Sequence, residues 1–185
     1  MEYFPLAMYR ENLDNIPEYN LPEGFNLRLF EDNDEMNWAQ IETAVGEFSD
    51  INKALDRFKN EFSNHLEEMK KRCIFLLSPG FEPIGTVTAW FGDFAGEKKG
   101  RIHWVAIKPE YQGKGLAKPM FSAAMNILVK YHHDAYLTTQ TTSWRAVNMY
   151  LHYNFKPVPR FSDDPDFING WETIFTRLNK PGINI

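Results

Sequence analysis

The stretch Arg101-Ile-His-Trp-Val-Ala-Ile-Lys-Pro-Glu-Tyr-Gln-Gly-Lys-Gly-Leu-Ala-Lys118 decides the reading of the chain. Residues 101–107 are mostly apolar and rich in β-formers, so they read as a strand, and Pro109 stops it. A glycine-rich turn follows at Gln112, Gly113, Lys114, Gly115, Leu116 and Ala117. Beyond it Met120, Ala124, Ile127, Leu128 and Tyr131 recur on one face of a helix expected over residues 116–131. Pro119 is tolerated because it falls in the first turn, where N–H groups have no intrahelical partner. Gly113 and Gly115 allow the sharp turn and let a phosphate approach with no Cβ in the way. Successive N–H groups of such a turn converge on an anion, and the positive end of the new helix points to the same place. Lys114 and Lys118 add charge. An anion held there gains charge-assisted hydrogen bonds worth about 1.5–3 kcal/mol each.

Two other phosphate loops do not fit. The dinucleotide fingerprint needs a third glycine where Lys118 stands, and the Walker loop needs Gly-Lys-Ser/Thr after a longer gap.

Outward from this stretch the chain reads as a mixed sheet with helices on its faces. Upstream, residues 4–10 read as a short edge strand and residues 25–30 alternate as a second strand. Asp34 caps a helix with Trp38, Ile41 and Val45 on its apolar face. Asp50 caps a longer one carrying Ile51, Leu55, Phe58, Phe62, Leu66 and Met69. Residues 73–77, 84–91 and 101–107 read as three strands of an antiparallel meander, with a turn at 96–100 that leaves Lys98 and Lys99 solvated. Downstream, residues 135–139 form a strand, Ser143 caps a helix with Val147, Tyr150 and Leu151, and residues 167–178 supply a final strand.

The bulk properties narrow the class. The chain has 185 residues, 43% hydrophobic and 15% aromatic, enough for a buried core and against wholesale disorder. Its net charge of −5 and the lack of a dense basic stripe argue against duplex nucleic acid as a partner. No 18-residue apolar run predicts a membrane span, and no secretory leader is visible. The single cysteine, Cys73, lies among apolar residues as a buried strand thiol, and one cysteine suits a reducing cytoplasm. No spacing of His, Cys, Asp and Glu resembles a metal site. His65, the adjacent His132 and His133, and the Asp163-Asp-Pro-Asp166 loop read as structural or solvated groups.

The residues from 101 to 155 carry a family resemblance. Gln112-Gly-Lys-Gly115-Leu-Ala117 resembles the Gln/Arg-x-x-Gly-x-Gly/Ala signature of the GCN5-related N-acetyltransferase (GNAT) superfamily. Trp104-Val-Ala-Ile107-Lys-Pro109-Glu-Tyr111 resembles that family's lead-in strand. Ala146 and Tyr150-Leu-His-Tyr-Asn154-Phe155 resemble its Ala-x-x-x-Tyr-x-x-x-Gly-Phe helix end, with Asn154, a residue that tolerates left-handed backbone, in place of Gly.

The resemblance implies one α/β domain of GNAT type over residues 25–178, with a mixed, mostly antiparallel sheet flanked by helices. Residues 1–24 are then an N-terminal extension with an edge strand, and residues 179–185 a tail. It implies acetyl-CoA as acyl donor, no metal, and a primary amine as acceptor; a homodimer stays open. The glycine loop, residues 112–117, would hold the pyrophosphate, and the backbone of Val105 and Ile107 would hold pantetheine. The Val105 N–H would face the thioester carbonyl, Ser143 stands where an Asn often contacts CoA, and Tyr150 stands where many members place the acid that protonates the departing thiolate. His103 resembles a histidine that some amine-acetylating members carry and is the base candidate. It sits two residues from Val105, which in a regular strand puts both side chains on one face. Glu47 and Glu172 are weaker candidates, and Arg101 stands where histone-type members carry a catalytic Glu. Two rivals remain: a non-catalytic acyl-CoA-binding module of the same fold, and an unrelated nucleotide- or phosphate-binding protein.

Overall fold

Cys73–Leu77 is buried at every position, as an apolar run flanked by strands on both sides must be. This strand, β3, pairs antiparallel with β2 (Asn26–Leu29) and with β4 (Pro83–Phe94). β4 turns at Ala95-Gly96, where both residues have positive φ, into β5 (Glu97–Ile107). A two-residue connection of this kind joins the strands of a hairpin. The other strands are β1 (Pro5–Arg10), β6 (Ala135–Gln140) and β7 (Lys156–Val158). The seven run in the order β2-β3-β4-β5-β6-β1-β7. β1 pairs antiparallel with β6 and with β7, and β5 pairs parallel with β6 at Gly100↔Ala135 and Arg101↔Tyr136. The sheet is mixed and mostly antiparallel, as expected.

These features come from a computed structural model that describes residues 1–182. The tail expected over 179–185 therefore lies partly outside the described residues. The helices are α1 (Glu35–Ala44), α2 (Ile51–Phe62), α3 (Leu66–Arg72), α4 (Ala117–Leu128), α5 (Trp144–His152) and α6 (Phe167–Leu178). The chain forms two units. One comprises Met1–Asn15, Phe91–Arg101 and the chain from His132 on; the other comprises Ile16–Trp90 and Ile102–Tyr131.

In the second unit the helices bury aromatic faces. Asp50 accepts from the Lys53 N–H (3.0 Å) and so caps α2, whose Ala54, Phe58 and Phe62 are buried one turn apart. Trp38 on α1 is fully buried against Phe48, Phe58 and Phe62. The helix expected to continue to Met69 breaks at Ser63–His65 into one tight turn before α3. Ser, Asn and His are poor helix-interior residues, and their run explains the break. Asp34 stands at the start of α1 without capping it; its carboxylate takes the Arg28 guanidinium, the Glu31 N–H and the Asn37 amide instead. Glu42 on α1 is 1% exposed, and one of its carboxyl oxygens has no partner. Burial, reinforced by the charge of Glu47, pushes its acid up to about 8.

In the first unit β1 lies between β6 and β7, so residues 4–10 are an interior strand rather than the edge strand expected. The Arg10 guanidinium fixes its end by donating to the carbonyls of Asn12, Asp14 and Tyr153. Residues 167–178 are a helix, not the expected strand. Phe167, Trp171, Ile174, Phe175 and Leu178 recur at helical spacing, and Trp171 and Ile174 are buried on that face. Lys99 is also corrected. It lies in β5, 14% exposed, and donates to Glu97 and to Asp134 (2.8 Å each), which accepts from the Tyr9 hydroxyl as well (2.6 Å). Gly100 sits beside this cluster, where a Cβ would lie 2.8 Å from the Asp134 carbonyl oxygen.

Gly100→Ala forces backbone apart at the β5–β6 pairing and is expected to lower stability by about 1–3 kcal/mol in urea unfolding; an unchanged midpoint would contradict the close approach. Glu42 carries a proton in the folded state that it loses near pH 4.5 when unfolded, so its contribution is intact below that pH and is lost as pH rises through about 8. Glu42→Gln should therefore flatten the fall in stability between pH 5 and pH 8, a gain on the order of 2–4 kcal/mol at pH 8 relative to pH 5. Parallel pH profiles for the two proteins would refute a buried, protonated Glu42.

Candidate acyl-donor site

The strand-to-helix passage is built as its sequence requires. β5 ends at Ile107, and the Lys108 N–H donates to the Ile84 carbonyl (2.8 Å), holding the exit of β5 to the start of β4. Pro109–Tyr111 makes one tight turn. The Gln112 side-chain amide then donates back to the Ile107 carbonyl (2.8 Å), which fixes where the glycine loop begins. Gly113 and Gly115 have φ of +77° and +78°, the left-handed region that side chains rarely enter. No atom lies within 4 Å of where a Cβ would stand at either, so the loop borders open space. Leu116 is buried at the entry to α4, and Pro119 lies in its first turn. Alternating left-handed residues before a helix N-terminus turn successive N–H groups to one side, the arrangement that holds an anion. The ammonium groups of Lys114 and Lys118 rest over the rings of Tyr111 and Tyr19, 4.8 and 4.9 Å from their centres.

Upstream in β5, Trp104 has a φ of +50°. A left-handed residue inside a strand interrupts the alternation of side chains, as in a bulge. The consequence is direct: consecutive residues reach the same carboxylate. His103 Nε2 lies 2.5 Å from Glu61 Oε1, and Trp104 Nε1 donates to Glu61 Oε2 (3.3 Å). The step-of-two argument that set His103 and Val105 on one face therefore does not carry across Trp104. The His103 side chain is 10% exposed and packs on Phe62 and Trp104, so it is neither solvated nor in a purely apolar setting. Glu61 was not found by sequence reading. It lies 42 residues from His103, and only its i,i+4 spacing from Arg57 marked it, as an ordinary helix pair.

The downstream candidates belong to the other unit. Ser143 stands at the N-terminus of α5 but makes no capping bond with its side chain; its hydroxyl accepts from the Gln140 amide (3.0 Å). Tyr150 is 5% exposed, one turn beyond fully buried Val147. Asn154 takes φ +60° and so ends the helix in the left-handed conformation its side chain tolerates, with Phe155 buried behind it. The acidic loop read as solvated instead clamps a cation: Asp164 and Asp166 both accept from Arg160. The hydrogen bonds from Arg160 bring the Asp164 acid down to about 2. Glu172 on α6 lines a groove of about 1040 Å³ with Trp144 and Arg177, and Glu47 is exposed. Among the described residues no cluster of His, Cys, Asp and Glu could hold a metal ion, and no helix is long and apolar enough to cross a membrane.

Comparison with known proteins agrees with this geometry. Residues 27–155 match the model of the acetyltransferase (GNAT) family. No curated protein matches the chain. Among solved structures, a GCN5-related N-acetyltransferase from Sphaerobacter thermophilus is 18% identical with a TM-score of 0.66, over 83% of this chain and 48% of that one. A GNAT-family acetyltransferase from Colwellia psychrerythraea is 11% identical with a TM-score of 0.63, over 85% and 55%. A tandem GNAT protein from the clavulanic acid biosynthesis pathway is 10% identical with a TM-score of 0.58, over 83% and 50%. At these identities the likeness is one of fold, and the chain spans about half the length of each. The match across more than half of the sequence, on the same strand, glycine loop and helix end that the geometry singles out, makes this chain a member of the GNAT acetyltransferase family.

Proposed function

We propose that the protein transfers an acyl group, acetyl in the first instance, from CoA to a primary amine by direct attack. The observation that carries the proposal is the open left-handed turn at Gly113 and Gly115 leading into α4. It is a cradle for an anion free of side chains, and in this family that anion is the CoA pyrophosphate. In this reading Gln112, Gly113, Lys114, Gly115, Leu116 and Ala117 hold the pyrophosphate, and the backbone of Val105 and Ile107 holds the pantetheine arm. Ser143 and Tyr150 contact the donor as well.

The chemistry assigned to each group follows from charge. The acceptor amine is an ammonium near pH 7 and must lose a proton before its lone pair can attack the thioester carbonyl carbon. His103 takes that proton, directly or through water. The new C–N bond puts negative charge on the carbonyl oxygen, which the Val105 N–H stabilises. Collapse breaks the C–S bond, Tyr150 gives its phenolic proton to the departing thiolate, and the second proton shed by the attacking nitrogen restores the phenol. The net result is an amide and free CoA thiol.

A second reading, an acyl-CoA-binding module without turnover, draws support from one observation: Tyr150 is 5% exposed and sits on the packed face of α5. Turnover separates the two. Release of CoA thiol with some member of an amine panel, reduced about 100-fold or more in Tyr150→Phe with acetyl-CoA affinity retained, supports the enzyme. Acetyl-CoA binding without CoA release for any amine supports the module. Gly115→Val tests the cradle itself. A β-branched residue resists φ near +78°, so acetyl-CoA affinity should fall at least about tenfold by calorimetry in a protein of unchanged circular dichroism. Equal affinity in the variant would exclude this loop as the pyrophosphate site.

A further inference from the structure

Glu61 lies in the last turn of α2 and gathers three donors on one carboxylate. Arg57, one turn earlier, donates Nε to Oε2 (2.9 Å), and Trp104 donates Nε1 to the same oxygen (3.3 Å). His103 Nε2 meets Oε1 at 2.5 Å. A surface pair on a helix would account for Arg57 alone. It does not account for two consecutive residues of a neighbouring strand turning to one carboxylate, which requires Trp104 to hold a left-handed backbone. That conformation is unfavourable for a bulky residue, and it persists where its surroundings compensate.

The electrostatics set the direction of the hydrogen bond. Burial works against ionising Glu61, but the hydrogen bond and charge of His103, the charge of Arg57 and the Trp104 N–H together bring its acid below the usual range. Glu61 is thus an anion at neutral pH and can only accept. His103 Nε2 must then carry the hydrogen, which makes Nδ1 the proton-accepting nitrogen of the neutral ring.

We propose that Glu61 is the positioning residue for His103: it fixes the Nε2–H tautomer, orients the ring, and stabilises the imidazolium formed when Nδ1 takes the acceptor's proton. The last part rests on the acyl-transfer reading above; the tautomer and the charge coupling do not. The proton balance is closed. The ammonium loses one H⁺ to Nδ1, the pair becomes carboxylate–imidazolium, and His103 returns that proton to water after the product leaves; the nitrogen's second proton replaces the one that Tyr150 gives to the thiolate. Arg57 is the charged side chain that shares Glu61 with the ring, and it neutralises part of the same carboxylate, so it tempers the effect rather than creating it.

The deciding experiment uses the whole chain labelled with ¹⁵N-histidine, with proton–nitrogen correlation spectra recorded across pH for the native protein, Glu61→Gln, Glu61→Ala and Arg57→Ala. The native protein should show neutral His103 as the Nε2–H tautomer. Glu61→Gln keeps an acceptor but loses the charge, so the tautomer should persist while the titration midpoint moves to lower pH. Glu61→Ala should release the tautomer as well, and Arg57→Ala should leave it in place. In turnover, Glu61→Gln should lower kcat about tenfold or more near neutral pH, leave KM for acetyl-CoA unchanged, and shift the acid limb of the pH profile with the NMR midpoint. A structural tie between α2 and β5 would move stability without moving that limb. An Nδ1–H tautomer in the native protein, or an unchanged midpoint in Glu61→Gln, overturns the proposal. The native spectrum alone decides the tautomer even if a variant fails to fold. Failure of the acyl-transfer reading shows separately, as bound acetyl-CoA that no amine in the panel discharges.

Discussion

Trp104 holds a left-handed backbone in the middle of β5, and groups from α1, α2 and the segment between them surround its side chain. Its ring stands edge-on to Trp38, 5.2 Å between centres, and lies against Phe48. The Arg57 guanidinium sits over its face, 5.6 Å from the centre. Its N–H is taken by Glu61. Each contact comes from α1, α2 or the segment between them, so the two helices supply the compensation that a bulky side chain at positive φ demands. The left-handed residue stands in β5 just before Val105, the residue whose N–H the acyl-transfer reading uses. It also turns His103 toward Glu61. Aromatic packing, strand geometry and the surroundings of the candidate base therefore meet at one residue.

The passage from β5 through the glycine turn into α4 is legible in the sequence because it depends on local rules. A strand, two glycines two residues apart and a helix with proline in its first turn admit few conformations, and the structure adopts the expected one, with both glycines left-handed. Asn154 was readable for the same reason. What failed was non-local. β1 lies in the interior of the sheet, and nothing in its short run reveals that β7, three residues long, lies on its far side. Residues 167–178 carry their apolar side chains at helical spacing, a period that an expected strand leaves out of account. Glu61 was invisible because its partner is 42 residues away and because the regular alternation assumed for β5 hides what Trp104 does.

Family membership and site chemistry stand on different footings. The shared fold and the glycine loop tie the chain to acyl transfer in general. The acceptor is set by side chains outside that loop, where fold says little. The surroundings of His103 are informative in a narrower way. A carboxylate, an imidazole and an indole N–H meet in a partly buried place, and low local polarity strengthens such coupling relative to the same groups in water.

The proposed function rests on acetyl-CoA being held by the turn at Gly113 and Gly115. Amide hydrogen exchange with and without acetyl-CoA tests it most directly, because the N–H groups themselves are the proposed ligands. The account predicts slowed exchange at residues 113–118 and at Val105 and Ile107, with little change in β2 and β3. Binding of acetyl-CoA with no protection in residues 113–118 would contradict it.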